Sequence, residues 1–208
     1  MQRAAAILLV FLGGFAVMVL EIIGARFLLK DFGGAFYVWT SQIGVVLLAL
    51  SLGYWFGGRW ADRFESARFL AWLLVPAALF TFAIPDFAPG LIDALVSRHP
   101  AGADIPLLWQ KLDPALGSAL VFLFPCFVLA TLSPYTVRLA ASQLGHVGAV
   151  SGAVYAASTV GSVAGVFISG YVLLDHLSLS TIFRATGGLT LGLAALCWCL
   201  DRPVAQKK

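Results

Sequence analysis

AAAILLVFLGGFAVMVLEIIGARF, residues 4–27, is apolar for longer than a helix in a soluble core requires. About 20 such residues cross a hydrocarbon layer of about 30 Å, so this run reads as a membrane span. It exceeds the apolar region of a signal peptide, and no A-x-A cleavage pattern follows, so it is read as retained. One residue in it is out of character. Glu21 stands among Met18, Val19, Leu20, Ile22 and Ile23. A charge at that depth costs roughly 2.5–3.5 kcal/mol unless it faces protein, a water-filled cavity or a partner, and such residues by default mark functional sites.

The rest of the chain follows the same plan. Of its 208 residues, 61% are hydrophobic and 11% charged, whereas a soluble domain carries about 25% charged residues. That balance excludes a water-soluble globular protein. Further spans read as Phe36–Gly58, Ala67–Ile84, Ala115–Val137, Gly148–Leu174 and Thr181–Leu200, giving six. Backbone polar groups in lipid must be satisfied within each segment, so the spans are helices and the fold class is an all-α integral membrane protein. The segment from Pro85 to Pro114 reads as an extracytoplasmic connection. Within it, Pro89–Val96 and Ile105–Leu112 read as short amphipathic helices on the membrane face. No second domain is expected.

Basic residues suggest a direction. Arg3, Arg59, Arg63, Arg68, Arg138, Arg202, Lys207 and Lys208 fall on one side, and only Lys30, Arg98 and Lys111 in the loops of the other. The positive-inside pattern then places both termini in the cytoplasm, in a cell (inner) membrane. Basic residues at helix ends give no nucleic-acid surface. Cys126, Cys197 and Cys199 lie in apolar runs, and His99, His146 and His176 are scattered. No metal, cofactor or catalytic constellation is expected.

An internal repeat is visible. Tyr37, Thr40 and Gly44 are followed nine residues later by Gly53-Tyr54, while Tyr155, Thr159 and Gly161 are followed nine residues later by Gly170-Tyr171. Spans one and four end in Arg26-Phe27 and Arg138-Leu139. Two three-helix units, about 1–85 and 114–200, would have inverted topology, as in many secondary transporters. Chance recurrence of Gly and Tyr in membrane helices is the alternative.

The runs Glu21-Ile22-Ile23-Gly24-Ala25-Arg26, Trp39-Thr40 and Gly53-Tyr54-Trp55-Phe56-Gly57-Gly58-Arg59-Trp60-Ala61-Asp62-Arg63 carry a resemblance. So do Ser133-Pro134-Tyr135-Thr136-Val137-Arg138-Leu139, Tyr155-Ala156-Ala157-Ser158-Thr159-Val160-Gly161-Ser162 and Gly170-Tyr171-Val172-Leu173-Leu174. In this order they resemble the membrane portion of spermidine synthase-like proteins, in which a major-facilitator-type membrane region is fused to a synthase. Gly58-x3-Asp62-Arg63 resembles the signature loop of major facilitators, where the acid braces one conformation at a helix N-terminus. Here Phe64 and Glu65 follow instead of further basic residues, and a plain polar turn is the other reading. The resemblance implies half of a facilitator fold and, as ligand, a polyamine or related cation. The glycine-rich turn of an adenosyl-donor domain is missing, so the chain is not expected to be an enzyme. Six spans rather than twelve imply a homodimer or a second membrane half.

On a helical wheel Glu21 shares its face with the small residues Gly14, Gly24 and Ala25, which let a neighbour approach, and with one larger residue, Val17. The expectation is that Glu21 faces Arg184 or Arg26 across an outward-facing pocket. It would serve there either as a ligand site or as a structural ion pair. Its depth reads as about six residues, roughly 9 Å, from the helix end. Tyr155, Thr159 and Ser162 form a polar stripe that either lines a cavity or bonds across helices. Gln42 and Tyr54 offer hydrogen bonds to a ligand or to a neighbouring helix. Two functions follow. One is a membrane protein that binds or transports a small metabolite. The alternative is a membrane scaffold for a soluble aminopropyltransferase, docked at Arg59–Arg68 and the C-terminal tail.

Overall fold

The computed structural model describes residues 3–33, 36–99, 105–140 and 147–200. Their regular structure is entirely helical. Six helices are long and apolar enough to cross a membrane. They are α1 (Arg3–Phe32), α2 (Phe36–Phe64), α3 (Ala67–Ser97), α4 (Leu107–Ala140), α5 (Val147–His176) and α6 (Leu179–Leu200). We call the end of the bundle that carries Arg3 and Leu200 proximal, and the other end distal.

Local chemistry explains where the helices stop. Gly33, at φ 81°, closes α1 with its N–H on the Leu29 carbonyl at 3.1 Å, a left-handed cap that glycine adopts at little cost. Glu65, at φ 43°, breaks the path between α2 and α3. Ser66 then caps α3 by accepting the Arg68 N–H at 3.3 Å. Between α5 and α6 the Ser178 hydroxyl accepts the Thr181 N–H at 3.2 Å, satisfying one of the free donors of a helix start.

The helices outrun the apolar segments. Ala67–Ser97 is continuous through Pro76, Pro85 and Pro89, and α4 starts at Leu107. The two expected surface helices are therefore the ends of α3 and α4, and the connection between them is shorter than 85–114. Ala88 and Ile92 are fully buried, so packing offsets the helix propensity that each proline removes. Likewise α2 runs six residues past Gly58. The Gly58-x3-Asp62-Arg63 pattern lies on its last turns, not in a loop. In α4 a π turn, Ala119–Leu123, precedes Pro125, and α5 has another at Ser169–Leu173. Widened turns of this kind disturb the regular ladder locally.

Three pairs dominate the packing: α1 with α5, α2 with α4, and α3 with α6. Paired glycines set two of them. A Cβ on Gly53 or Gly57 of α2 would collide with Phe127, Ala130 or Thr131 of α4. A Cβ on Gly161 or Gly165 of α5 would collide with the backbone of Phe11 or Phe15 in α1. This is close helix approach through G-x-x-x-G spacing. Gly44, Gly148, Gly152 and Gly170 meet nothing. Aromatic rings fill the centre: Phe183 of α6 lies 6.0 Å from both Phe27 of α1 and Phe122 of α4.

Burial is uneven. The most apolar stretch of α1 is 56% buried, but that of α5 only 17%. Val160, Val163, Phe167 and Tyr171 of α5 point outward, as do Ile43, Leu47, Leu48 and Trp55 of α2.

Candidate functional site

Glu21 lies eleven residues before the end of α1, about 16 Å at 1.5 Å per residue. That is deeper than the sequence implied, because α1 extends to Phe32. The side chain is half-buried. It has no hydrogen bond or ion pair among the described residues.

Neither expected arginine reaches it. Arg184 binds Asp86 of α3 at 3.1 Å and leans over Phe82 at 5.9 Å. The α3–α6 pairing fixes that choice: a nearer carboxylate shares the interface, and both side chains are largely exposed there. Arg26 is exposed and lines a distal hollow of about 310 Å³ with Ile22, Leu29, Trp39, Gly170, Leu174 and Asp175. The ion-pair version of the Glu21 reading is therefore replaced by an acid with no ion-pair partner among the described residues.

One turn proximal of Glu21, Val17 and Met18 line a small cavity between α1, α2, α4 and α5. Tyr54, Ser133, Ser158 and Ser162 complete its polar wall. Its volume is about 40 Å³, room for water but far below the 300 Å³ or more of a metabolite pocket. Two of the hydroxyls bond across helices. Ser162 donates to the Gly14 carbonyl at 3.3 Å, and Ser133 to the Ser158 hydroxyl at 3.4 Å. Tyr54 and Tyr155 are both partly exposed. Thr159 is exposed and donates back to the Tyr155 carbonyl at 2.9 Å, so its hydroxyl is spent within its own helix.

Gln42 does not open to any ligand. It is fully buried. Its amide donates to the Leu20 carbonyl at 3.4 Å and accepts the Ser118 hydroxyl at 2.7 Å. It ties α1, α2 and α4 together one residue before Glu21. The space comes from Gly24, where a Cβ would strike the Gln42 amide and Phe122.

At the proximal end Arg138 of α4 clasps two acids. Its Nε lies 2.8 Å from Asp62 Oδ1, and its terminal nitrogen 2.5 Å from Glu65 Oε1. Tyr135 donates to the Ser66 carbonyl at 3.0 Å. Asp62 thus braces the end of α4 through an arginine, and Ser66, not Asp62, caps the next helix. Arg63 stands 5.5 Å from the Phe64 ring, and Gly58 packs against nothing. Glu65, which sequence reasoning passed over as a departure from the signature, is the second arm of this clasp.

A second polar assembly, at the distal end, was also missed. Asp113 is 4% exposed and is held by Arg98 and by His99 Nε2, the latter at 2.6 Å. The signal was the buried acid before Pro114, obscured because the segment read as a surface loop. Among the described residues no group of His, Cys, Asp and Glu is arranged to hold a metal. No known protein family matches the chain, nor does any curated protein or solved structure.

Proposed function

We propose that this chain is one half of a two-half membrane protein that binds or moves a small metabolite, with a cation as its ligand. The observation that carries this reading is Glu21, an acid at membrane depth with no partner among the described residues. Buried charges are paired or bind something. An ammonium group would supply the missing charge, and the sequence resemblance to spermidine synthase-like membrane proteins favours a polyamine.

The helix pairing supports a repeat. Exchanging α1 with α4, α2 with α5 and α3 with α6 turns the α1–α5 pair into α4–α2 and leaves α3–α6 unchanged. Gly53 and Gly57 then correspond to Gly161 and Gly165, each pair seated on the partner helix. This register differs from the one the sequence suggested. Gly44 and Gly170 pack against nothing, so matching them to Gly161 and Gly53 pairs unlike environments. Inverted three-helix repeats are a building plan of secondary transporters.

The cavity one turn from Glu21 is too small for a metabolite, and the outward faces of α2 and α5 are largely apolar. A second copy against those faces would supply the missing wall. Calorimetric titration of the detergent-solubilised protein with spermidine tests the site. Saturable binding by the wild type that is lost in Glu21→Gln, with folding retained, is the expected result. Unchanged binding in the variant would remove Glu21 from the site. No binding by folded wild type would favour the scaffold reading, for which the exposed Arg59, Arg63 and Arg68 form a docking face.

A further inference from the structure

The ends of α1 and α3 and the starts of α2 and α4 enclose a distal hollow of about 350 Å³, within the range of small-molecule sites. Its wall includes Asp31, Tyr37, His99, Trp109, Gln110 and Asp113. Among the described residues of that wall there is no lysine or arginine.

The two acids differ. Asp113 is buried, and both its oxygens are engaged, one by Arg98 and one by His99. This cluster joins the end of α3 to the start of α4 and holds one side of the wall rigid. The Arg98 guanidinium also stacks 4.3 Å from the Trp109 ring and fixes it. Asp31, by contrast, is exposed and has no hydrogen bond or ion pair among the described residues. Tyr37 adds a second aromatic face. The chain's own Lys111 ammonium lies 5.4 Å from that ring, a cation–π distance. An exposed carboxylate with no ion pair among the described residues stands beside two aromatic rings that already draw the chain's own Arg98 and Lys111, a lining suited to positive charge on a small apolar body.

We propose that this distal hollow binds a small organic ammonium ion, with Asp31 as its counter-ion and Tyr37 and Trp109 as its aromatic walls. The site is separate from Glu21 and does not rest on the reading of that residue. Phe32 and Val96 also line it, so the alkyl part of the ion has apolar contacts as well.

The test is calorimetry on the purified full chain in lipid nanodiscs, with choline and its uncharged carbon isostere as probes. Choline binds saturably and the isostere does not. Asp31→Asn weakens choline by about tenfold or more, the scale of a lost charge-assisted contact. Asp93→Asn removes an exposed acid of α3 outside the wall and leaves the affinity unchanged. Equal affinity in Asp31→Asn, equal binding of the isostere, or no saturable binding by folded wild type each overturns the proposal. Binding lost in Glu21→Gln but kept in Asp31→Asn would place the cation at membrane depth and overturn it as well.

Discussion

Gln42 shows how a single polar side chain can be essential to a membrane bundle without touching a ligand. It sits among apolar residues, where an unmatched amide would cost several kcal/mol. It is tolerated because Leu20 and Ser118 complete its hydrogen bonds. Ser118→Ala should leave the Gln42 carbonyl oxygen unpaired and cost about 1–3 kcal/mol. Thermal unfolding of the variant in detergent, followed by circular dichroism, would read this as a lowered midpoint with unchanged helix content. Glu21, the residue after Leu20, has no such partners among the described residues. The difference between the two was not legible in the sequence, where both were simply polar residues within apolar runs. Gln42 needs Gly24 opposite it and Ser118 from a distant helix, and neither pairing has a local signature. Arg184 failed for the same reason: its carboxylate, Asp86, lies on a helix that the sequence reading ended two residues earlier, at Ile84.

At the scale of helices, small residues decide which elements touch. Gly161 of α5 sits on the Phe11 carbonyl of α1. Gly161→Ala would drive a methyl group into backbone that cannot rotate away. The expected cost is about 1–3 kcal/mol, typical of overpacking, whereas Gly152→Ala, with open space around it, should be neutral or better. Comparing the thermal midpoints of the two variants checks this. Gly148, Gly152, Gly161 and Gly165 recur at four-residue spacing within each pair, but nothing in that spacing tells that Gly161 and Gly165 are packed while Gly148 and Gly152 are not. The starts of the helices were more legible than the ends. Hydropathy falls where α2 and α3 leave the apolar layer, but no residue stops the helix until Glu65 and Ser97. Pro85 and Pro89 imitate a stop that packing of Ala88 and Ile92 overrides. Read as a loop, that region concealed Asp113 and the hollow around it.

At the scale of the whole molecule, six spans and their all-helical nature were plain from composition and run length. The arrangement of the spans was not, because a hydrophobic run carries no record of which neighbour it meets. Among the described residues, the outward faces of α5 and α2 are left without protein contacts, although α3 and α6 cover each other. If the chain is one half of a larger assembly, the open α2 and α5 faces are where the other half sits. The most direct measurement is disulfide cross-linking in membranes, with Leu47→Cys on α2 and Val163→Cys on α5 and with the exposed Cys199 replaced by Ala. Leu79→Cys on α3 and Leu191→Cys on α6, equally exposed and apolar, serve as controls. Covalent dimers through positions 47 and 163 but not through 79 and 191 are the predicted result. No dimer at either pair, or dimers only through 79 and 191, would contradict a two-half protein assembled on α2 and α5.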